Sequence, residues 1–415
     1  MTIRFARVAP DGESCETDVR YPGDAIAVRV DDLVPHATYT VRLARWFRDA
    51  PFASVAEVTA DGDGAIDTRA DPDRLFWSMR REPGETARDR FDGFVLAVER
   101  DGTVLATRAL AARSLHPNVR AHELDRRDGL VGTLFVPDAG GPRPGILVLG
   151  GSGGGLDAAG DYAAALANRG FVALALAYFA APGLPPTLAG IPIEYFARAV
   201  RALGDHPAVA RDHVAVVGRS RGGELALLLG SIFPDLAAVV SHVGSAHRWC
   251  GTDGPASAAW TRGGIALPHL SPSGPPDVER TADGELVFAM TPAFVAALDA
   301  ADPVLADAAM SEIEATRGPI LLSSGADDQV WPSARLAEAA FARLAGRNRG
   351  DEWIAYDAAG HGATLLPGDP TTDPTFPHPL IGVCLKYGGT AEGNAKAQRA
   401  AWNHVVRFLR RALET

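Results

Sequence analysis

Two patterns of apolar residues divide the chain near residue 115. Before that point, apolar and polar positions alternate with a period of two, as in residues 26–30 and 39–43. This period places every second side chain on one face, which is typical of half-buried strands. Asp101 and Gly102 separate two further apolar runs, and an Asp-Gly pair favours a tight hairpin because glycine accepts a positive φ. Residues 1–115 are therefore predicted to form an antiparallel β-sandwich.

Beyond about residue 130 the apolar residues form continuous runs that are separated by helical stretches. The runs cover residues 145–149, 171–177, 214–217, 237–243, 320–323 and 353–356. Runs without alternation indicate strands buried on both faces, as in a parallel sheet covered by helices. The closing segment, residues 396–413, places Trp402, Val405, Leu409 and Leu413 on one helical face, which predicts a helix docked on the core. The fold class is therefore α/β.

The stretch 244–317 has a different character from both patterns. It is rich in Gly, Pro and Ala and has weak periodicity, and it is longer than compact domains usually leave unstructured. We interpret it as a cap-like insertion over the site. Since 415 residues exceed what one core usually organises, we expect a β domain at 1–115 and a catalytic domain at 116–415.

The sharpest chemical motif is a G-x-S-x-G sequence centred on Ser220. An apolar strand runs into Gly218, and a helical pattern follows Gly222 and Gly223. This context is that of a nucleophile elbow, in which a serine occupies a strained turn between a strand and a helix. The alternative is a glycine-rich turn with an incidental serine, and the strand-turn-helix context favours the elbow. Ser220 is the candidate nucleophile.

A serine hydroxyl needs an adjacent base, and the order serine, acid, histidine places that base later in the chain. His361 lies just past the last apolar run, where a loop can present an imidazole above the sheet. His378 and His404 also follow Ser220. However, His378 is enclosed by two prolines and His404 lies within the predicted terminal helix. The order and the placement both favour His361.

The acid should follow the strand at residues 320–323, and two aspartates compete there. Asp327 and Asp328 are adjacent. One would orient the imidazole, while the other would cap or stabilise the turn, since aspartate readily binds local backbone groups. Reasoning from the residues alone leaves the choice open.

Catalysis also requires backbone N–H groups that bind the oxyanion. One donor should be the residue after the nucleophile, Arg221. The second should come from the glycine-rich loop after the first parallel strand, where Ser152, Gly153 and Gly154 are the candidates. A phosphate-binding loop is the competing interpretation, but the G-x-x-x-x-G-K-[ST] pattern is absent.

Composition and charge exclude several other functions. The net charge of −11 argues against a non-specific grip on nucleic acid. No apolar run has the length of a signal peptide or a membrane span, so we expect a cytoplasmic enzyme. Cys15, Cys250 and Cys384 are too scattered for a disulfide framework or a metal knuckle, and no HExxH or calcium-loop motif occurs. We therefore expect neither a metal nor a cofactor.

Taken together, these motifs make the chain resemble the family of type I acyl-CoA thioesterases and bile acid-CoA:amino acid N-acyltransferases. The resemblance covers nearly the whole chain and is carried by residues 75–79, 141–156, 175–179, 193–196, 222–225 and 325–333. It implies an Ig-like sandwich followed by an α/β-hydrolase domain. It also implies that Asp328 is the acid and His361 the base. Arg219 and Arg221 flank the serine where familiar members carry smaller or different residues.

The family divides by its nucleophile, with serine in the thioesterases and cysteine in the N-acyltransferase. The serine of this chain therefore implies hydrolysis of an acyl thioester carried by CoA or by a carrier protein. The enzymatic alternative is an acyltransferase or cyclase that passes the acyl group to an amine or an alcohol. The alternative from another class is a non-catalytic binding protein on a hydrolase scaffold.

Overall fold

The computed structural model describes residues 1–47, 50–83, 92–124, 129–138, 140–281 and 284–413. It divides into two compact units. Unit 1 comprises Met1–His116 and Leu365–Asp373, and unit 2 comprises Pro117–Thr364 and Pro374–Thr415. Among the described residues, none of the helices combines the length and the apolar character that a membrane span needs.

Unit 1 is built from short strands and one helical turn. Its elements are β1 (Thr2–Val8), β2 (Ser14–Glu16), β3 (Val19–Arg20), β4 (Ala25–Asp31), β5 (Thr38–Phe47), β6 (Ala50–Thr59), β7 (Ile66–Asp67), α1 (Arg74–Trp77), β8 (Arg80–Arg81), β9 (Gly93–Arg100) and β10 (Thr103–Ala112). They form a four-stranded sheet, β2-β1-β4-β7, and a six-stranded sheet, β3-β10-β9-β5-β6-β8. The alternating side chains of both sheets meet in one apolar core, which includes Phe5, Val28, Leu43 and Leu96. This arrangement is a β-sandwich.

The predicted hairpin lies between β9 and β10. Asp101 and Gly102 have φ angles of 52° and 75°, and Arg100 pairs directly with Thr103. Two successive positive φ angles are the requirement of the two-residue turn that matches strand twist, which is why this position holds an Asp-Gly pair.

Unit 1 also contains a segment from much later in the chain, residues 365–373. The predicted ranges, 1–115 and 116–415, assign this segment to the catalytic domain. Residues 365–373 return to unit 1 because polar groups of the sandwich bind their backbone and side chains. The Arg20 guanidinium donates to the Pro367 carbonyl at 2.8 Å, and the Thr371 N–H donates to the Trp77 carbonyl at 3.0 Å. Arg45 pairs with Asp369 at 3.1 Å.

Unit 2 alternates strands and helices. Its elements are β11 (Val119–Glu123), β12 (Val131–Pro137), β13 (Arg143–Leu149), α2 (Asp157–Ala167), β14 (Val172–Ala177), β15 (Ile191–Pro192), α3 (Ile193–Gly204), β16 (Val209–Arg219), α4 (Arg221–Ile232), β17 (Ala238–His242), β18 (Trp260–Arg262), β19 (Ile265–Ala266), β20 (Asp277–Arg280), β21 (Leu286–Ala289), α5 (Thr291–Ala300), α6 (Pro303–Ala309), β22 (Ile320–Gly325), α7 (Ser333–Arg343), β23 (Glu352–Tyr356), β24 (Thr375–Pro377), β25 (Cys384–Lys386) and α8 (Ala391–Leu413). Two 3-10 turns cover Ile313–Ala315 and His361–Thr364.

The main sheet has the strand order β11-β12-β14-β13-β16-β17-β22-β23. The pairs from β14 to β23 are parallel, while β11 and β12 form an antiparallel edge. Every side chain of β14 is buried, because α2, α3, α4, α7 and α8 pack on the sheet. The continuous apolar runs arise from this double coverage. The sheet confirms the predicted α/β fold class, of the α/β-hydrolase type.

The stretch 244–317 lies between the neighbouring strands β17 and β22 and contains regular structure. It holds β18 to β21 and the helices α5 and α6. The strands β20 and β21 form a four-stranded sheet with β25 and β24, in which Val287 of β21 pairs with Cys384. The weak periodicity of this stretch is explained by strands of two to four residues, of which β20 is exposed throughout. Its role as a cap stays a prediction.

Candidate active site

Ser220 lies at the turn between β16 and α4, at the carboxyl edge of the main sheet. Its backbone has φ 58° and ψ −122°, a region that residues with a side chain rarely adopt. The Ser220 N–H donates to the His242 carbonyl at 2.8 Å, and the Ser220 carbonyl accepts from the Glu224 N–H at 3.0 Å. The neighbouring strand and the first turn of the helix therefore hold the strained residue from both sides.

Two glycines make this sharp turn sterically possible. A Cβ atom at Gly218 would lie 1.9 Å from the Gly222 carbonyl oxygen. A Cβ atom at Gly222 would lie 2.4 Å from the Leu149 carbonyl oxygen. Both distances are far shorter than any real contact of a Cβ atom. The glycines of the motif are therefore required by close approach of backbone to backbone.

Ser220, His361 and Asp328 form one continuous hydrogen-bonded chain. The His361 Nδ1 atom lies 2.8 Å from Asp328 Oδ2, and the Nε2 atom lies 3.0 Å from Ser220 Oγ. A carboxylate can only accept, so Nδ1 carries the proton and Nε2 presents its lone pair to the serine hydroxyl. The hydroxyl thus donates to a group that can take its proton.

The two neighbouring aspartates bind different partners. The second oxygen of Asp328, Oδ1, accepts from the N–H groups of Val330 at 2.9 Å and Trp331 at 3.3 Å. Asp327 instead accepts from the Gln329 side chain at 2.6 Å and from the Gly389 N–H at 2.9 Å. Asp327 therefore stabilises the turn, whereas Asp328 faces the imidazole.

The other two histidines that were considered as bases lie against other partners. His404, in α8, contacts Glu352 Oε2 at 2.5 Å. His378, just after β24, contacts Ser152 Oγ at 2.9 Å. His361 is thus the member of this group that contacts Ser220.

The glycine-rich loop after β13 passes directly beside Ser220. A Cβ atom at Gly151 would lie 3.2 Å from Ser220 Cβ, so Gly151, which lies outside the predicted set, is the loop residue that approaches the serine. The Gly154 N–H donates to the Gly151 carbonyl at 3.2 Å and is engaged within the loop. Ser152, Gly153 and Gly154 all stay predictions as donors to the oxyanion. Arg221 is the first residue of α4, where an N–H group has no carbonyl partner within the helix.

This chain is similar to enzymes that act on CoA thioesters. The family model described as "BAAT / Acyl-CoA thioester hydrolase C terminal" matches residues 191–415, which is more than half of the chain. The chain belongs to this family. It is an enzyme with an α/β-hydrolase fold.

Relatives extend the similarity to nearly the full length. Acyl-coenzyme A thioesterase 1 of Rattus norvegicus is 30% identical, over 97% of this chain and 96% of its own. The peroxisomal succinyl-coenzyme A thioesterase of Mus musculus is 29% identical, over 97% and 95%. The mitochondrial acyl-coenzyme A thioesterase 2 of Mus musculus is 30% identical, over 98% and 89%.

Solved structures resemble the chain more remotely. A dienelactone hydrolase-like promiscuous phosphotriesterase from metagenomic libraries is 19% identical, with a TM-score of 0.42 over 71% of this chain and 99% of that chain. An α/β-hydrolase enzyme from a deep-sea metagenome library is 15% identical, with a TM-score of 0.44 over 72% and 100%.

Burial sets the electrostatics of this family member's site. The relative exposures of Ser220, Asp328 and His361 are 6%, 4% and 2%. Desolvation lowers the pKa of His361 below its usual range, the Asp328 carboxylate opposes this shift, and the Arg219 guanidinium adds to it. The imidazole is therefore neutral near pH 7, which is the form that a general base requires.

The two arginines beside Ser220, Arg219 and Arg221, bind different partners. Arg219 donates to the His361 carbonyl at 2.5 Å, and its guanidinium lies over the Tyr387 ring, 5.6 Å from the centroid. It thus ties the histidine loop to the end of β16. The Arg219 guanidinium is also the positive charge that lowers the pKa of the His361 imidazole.

Arg221 forms a buried ion pair with Glu224, one turn further along α4, at 3.1 Å. Its guanidinium also donates to the carbonyls of Trp249 and Cys250, both at 2.8 Å. Glu224 in turn accepts from the Trp260 indole at 2.6 Å. Burial raises the pKa of Glu224, and Arg221 opposes that shift. These contacts attach the start of the 244–317 insertion to α4.

Two residues that the sequence analysis did not identify, Tyr162 and His242, support the turn at Ser220. The Tyr162 hydroxyl lies 3.0 Å from His242 Nε2, and the His242 carbonyl accepts the Ser220 N–H. Burial lowers the pKa of His242 to about 3, so this second histidine stays neutral. The sequence pattern identified it only as the end of an apolar run, because its partners lie on other elements.

Replacing Arg219 should move the pH dependence of the reaction. Because its charge lowers the pKa of His361, Arg219→Met should raise that pKa and shift the acid limb of kcat/KM to higher pH, whereas Arg219→Lys, which keeps the charge, should shift it less. The measurement is kcat/KM against pH with an activated ester, which reports ionisations of the free enzyme. Equal shifts in the two variants would assign the effect to lost packing rather than to charge.

Proposed function

We propose that this enzyme is a serine hydrolase that cleaves an acyl-CoA thioester through Ser220, His361 and Asp328. The observation that carries the proposal is the unbroken chain of hydrogen bonds from Asp328 Oδ2 through His361 to Ser220 Oγ. It is supported by the family membership and by the relatives that are named acyl-CoA thioesterases.

In the acylation step, Ser220 Oγ attacks the thioester carbonyl carbon while His361 Nε2 takes the hydroxyl proton. The oxyanion that forms accepts hydrogen bonds from the Arg221 N–H and from an N–H of the glycine-rich loop. Asp328 holds the imidazole in the required tautomer and stabilises the imidazolium. The intermediate then collapses, the carbon-sulfur bond breaks, and the CoA thiolate leaves with the proton from His361.

In the second step, water attacks the acyl-serine while His361 again takes a proton. The serine oxygen leaves as the hydroxyl and recovers that proton, so that the enzyme is restored and a carboxylic acid is released. The site needs no metal or cofactor for either step. Within the described residues, no group of three or more His, Cys, Asp or Glu side chains could hold a metal ion.

The proposed substrate is an acyl thioester, carried by CoA or by a carrier protein. Nucleic acid is not proposed as a partner, given the net charge of −11. A cytoplasmic location stays a prediction, since relatives of this chain are named as peroxisomal and mitochondrial enzymes.

The decisive experiment compares the wild type with Ser220→Ala on a panel of acyl-CoA thioesters, with release of free thiol as the readout. The wild type should hydrolyse at least one member. The variant should lose about 10⁴-fold or more in kcat. Its melting temperature should stay unchanged or rise, because the substitution removes only the side-chain hydrogen bond to His361 and leaves the backbone hydrogen bonds of the turn in place. A variant within tenfold of the wild type would remove Ser220 from the mechanism.

The two aspartates offer a matched pair of variants. Asp328→Asn should lower kcat by about 10³- to 10⁴-fold, because the amide favours the wrong imidazole tautomer. Asp327→Asn should mainly lower stability, since the Asp327 carboxylate accepts from Gln329 of its own turn and from Gly389. Steady-state kinetics and thermal melting of both variants separate the two effects. Comparable losses of kcat would refute the assignment of Asp328.

The fate of the acyl group depends on the atom at position 220. A thiol, with an ordinary pKa of about 8.5, can be activated by the same histidine. With Ser220→Cys the intermediate becomes a thioester, which prefers amines to water more strongly than an oxygen ester does. The variant should therefore lose hydrolysis and form amide when glycine or taurine is abundant.

Mass spectrometry of the products from wild type and Ser220→Cys tests this directly. The wild type should release almost only free acid. Acyl transfer is the second candidate function, because Ser220 has a relative exposure of only 6%, and restricted access of water to the acyl-enzyme would favour another acceptor. Amide as the dominant wild-type product would establish that second function instead.

A further inference from the structure

His378 and Ser152 meet beside the nucleophile although 226 residues separate them in the chain. Ser152 belongs to the glycine-rich loop that passes Ser220, and His378 follows β24. The histidine has a relative exposure of 5%, and burial lowers the pKa of its imidazole. It is therefore a neutral group near pH 7, and its nearest polar contact is the Ser152 hydroxyl at 2.9 Å.

The contacts of His378 determine which of its nitrogens carries the proton. The Leu380 N–H lies 3.3 Å from Nδ1, and an amide N–H can only donate. Nδ1 must therefore hold the lone pair, which places the proton on Nε2, the atom that faces Ser152 Oγ. A protonated Nε2 cannot take a proton from a serine. The pair is thus not a second catalytic dyad, and His378 acts as a hydrogen-bond donor to the loop.

The segment after β24 also touches the loop by packing. A Cβ atom at Gly153 would lie 3.5 Å from Pro379 Cγ, so the proline ring covers the next loop residue. On the other side of Ser152, Gly151 lies against Ser220. The loop residues that are candidate donors to the oxyanion are therefore held between Ser220 and the His378-Pro379 segment. The His378 N–H donates to the Val383 carbonyl at 2.9 Å, which fixes the segment itself.

We propose that His378 is a positioning residue for the reaction, which holds Ser152 and the adjacent N–H groups of the loop where the oxyanion forms. It touches neither Ser220 nor His361 in the contacts described above, so it acts through the loop. The inference rests on the proposed Ser220-dependent thioester hydrolysis. It adds a residue from the far end of the chain to the machinery that stabilises the transition state.

The test uses four single variants and one double variant that separate the hydrogen bond from the packing. His378→Leu removes the donor and keeps the bulk. His378→Gln restores a donor near the Nε2 position, whereas His378→Asn places its amide near the Nδ1 position and serves as the matched control. Ser152→Ala removes the acceptor, and the double variant Ser152→Ala with His378→Leu completes a cycle.

His378→Leu, His378→Asn and Ser152→Ala should each lower kcat by about tenfold to hundredfold with little change in KM, since displaced oxyanion donors act on the transition state. His378→Gln should stay within about threefold of wild type. The double variant should be no slower than either single variant. The affinity for a trifluoromethyl ketone, which forms a tetrahedral adduct with the serine, should fall in parallel with kcat/KM.

A kcat of His378→Leu within threefold of wild type, or losses that multiply in the double variant, would overturn the proposal. Equal losses of kcat in His378→Gln and His378→Asn would also overturn the proposal, because the position of the hydrogen-bond donor at residue 378 would then be irrelevant. Unchanged affinity for the ketone alongside a lowered melting temperature would assign His378 a purely structural role. If Ser220→Ala retains activity, the proposed function fails instead, and covalent labelling of Ser220 by a fluorophosphonate distinguishes that outcome.

Discussion

The backbone conformation of Ser220 is the constraint on which the rest of the site depends. Its φ of 58° is unfavourable for a residue with a side chain, by about 1–3 kcal/mol. The turn persists because its flanks are fixed by a buried strand, β16, and by the helix α4. Gly218 and Gly222 complete it, since any side chain there would collide with backbone. The same geometry lifts the hydroxyl above the sheet edge, where His361 reaches it.

The buried charges next to Ser220 have specific partners. Arg221 and Glu224 are both buried and bind each other together with backbone and indole groups of the insertion. An ion pair of this kind adds little net stability, but loss of one partner costs about 3–5 kcal/mol because the other charge is then left without compensation. The pair therefore attaches the insertion to α4 at Arg221, the residue that follows Ser220.

The site is completed by segments that follow the histidine. Residues after His361 first enter unit 1 and then return to form β24 and β25, of which β25 pairs with β21 of the insertion. Between those two strands lies His378, against the loop beside Ser220. The hairpin formed by β24 and β25 therefore contacts both the insertion, through β21, and the glycine-rich loop beside Ser220, through His378.

The sequence by itself determined the elements whose signals are local. The continuous apolar runs predicted the strands of the main sheet, and the strand-turn-helix context predicted the turn at Ser220. Both signals are local, because burial of a strand and the need for glycine at a tight turn depend on residues that are adjacent in the sequence. Family resemblance, not residue pattern, selected Asp328 over Asp327. In the structure Asp328 is the one that faces His361, since the two carboxylates leave the same turn in different directions.

Only the tertiary structure decided which distant segments meet. The return of residues 365–373 to unit 1 depends on Arg20 and Arg45, and nothing near those arginines in the sequence indicates their partners. His378 was set aside as a base because two prolines enclose it, and its contact with Ser152 depends on a fold that brings residues 226 positions apart together. Periodicity reports how each segment is buried, whereas such pairings follow from the packing of whole elements.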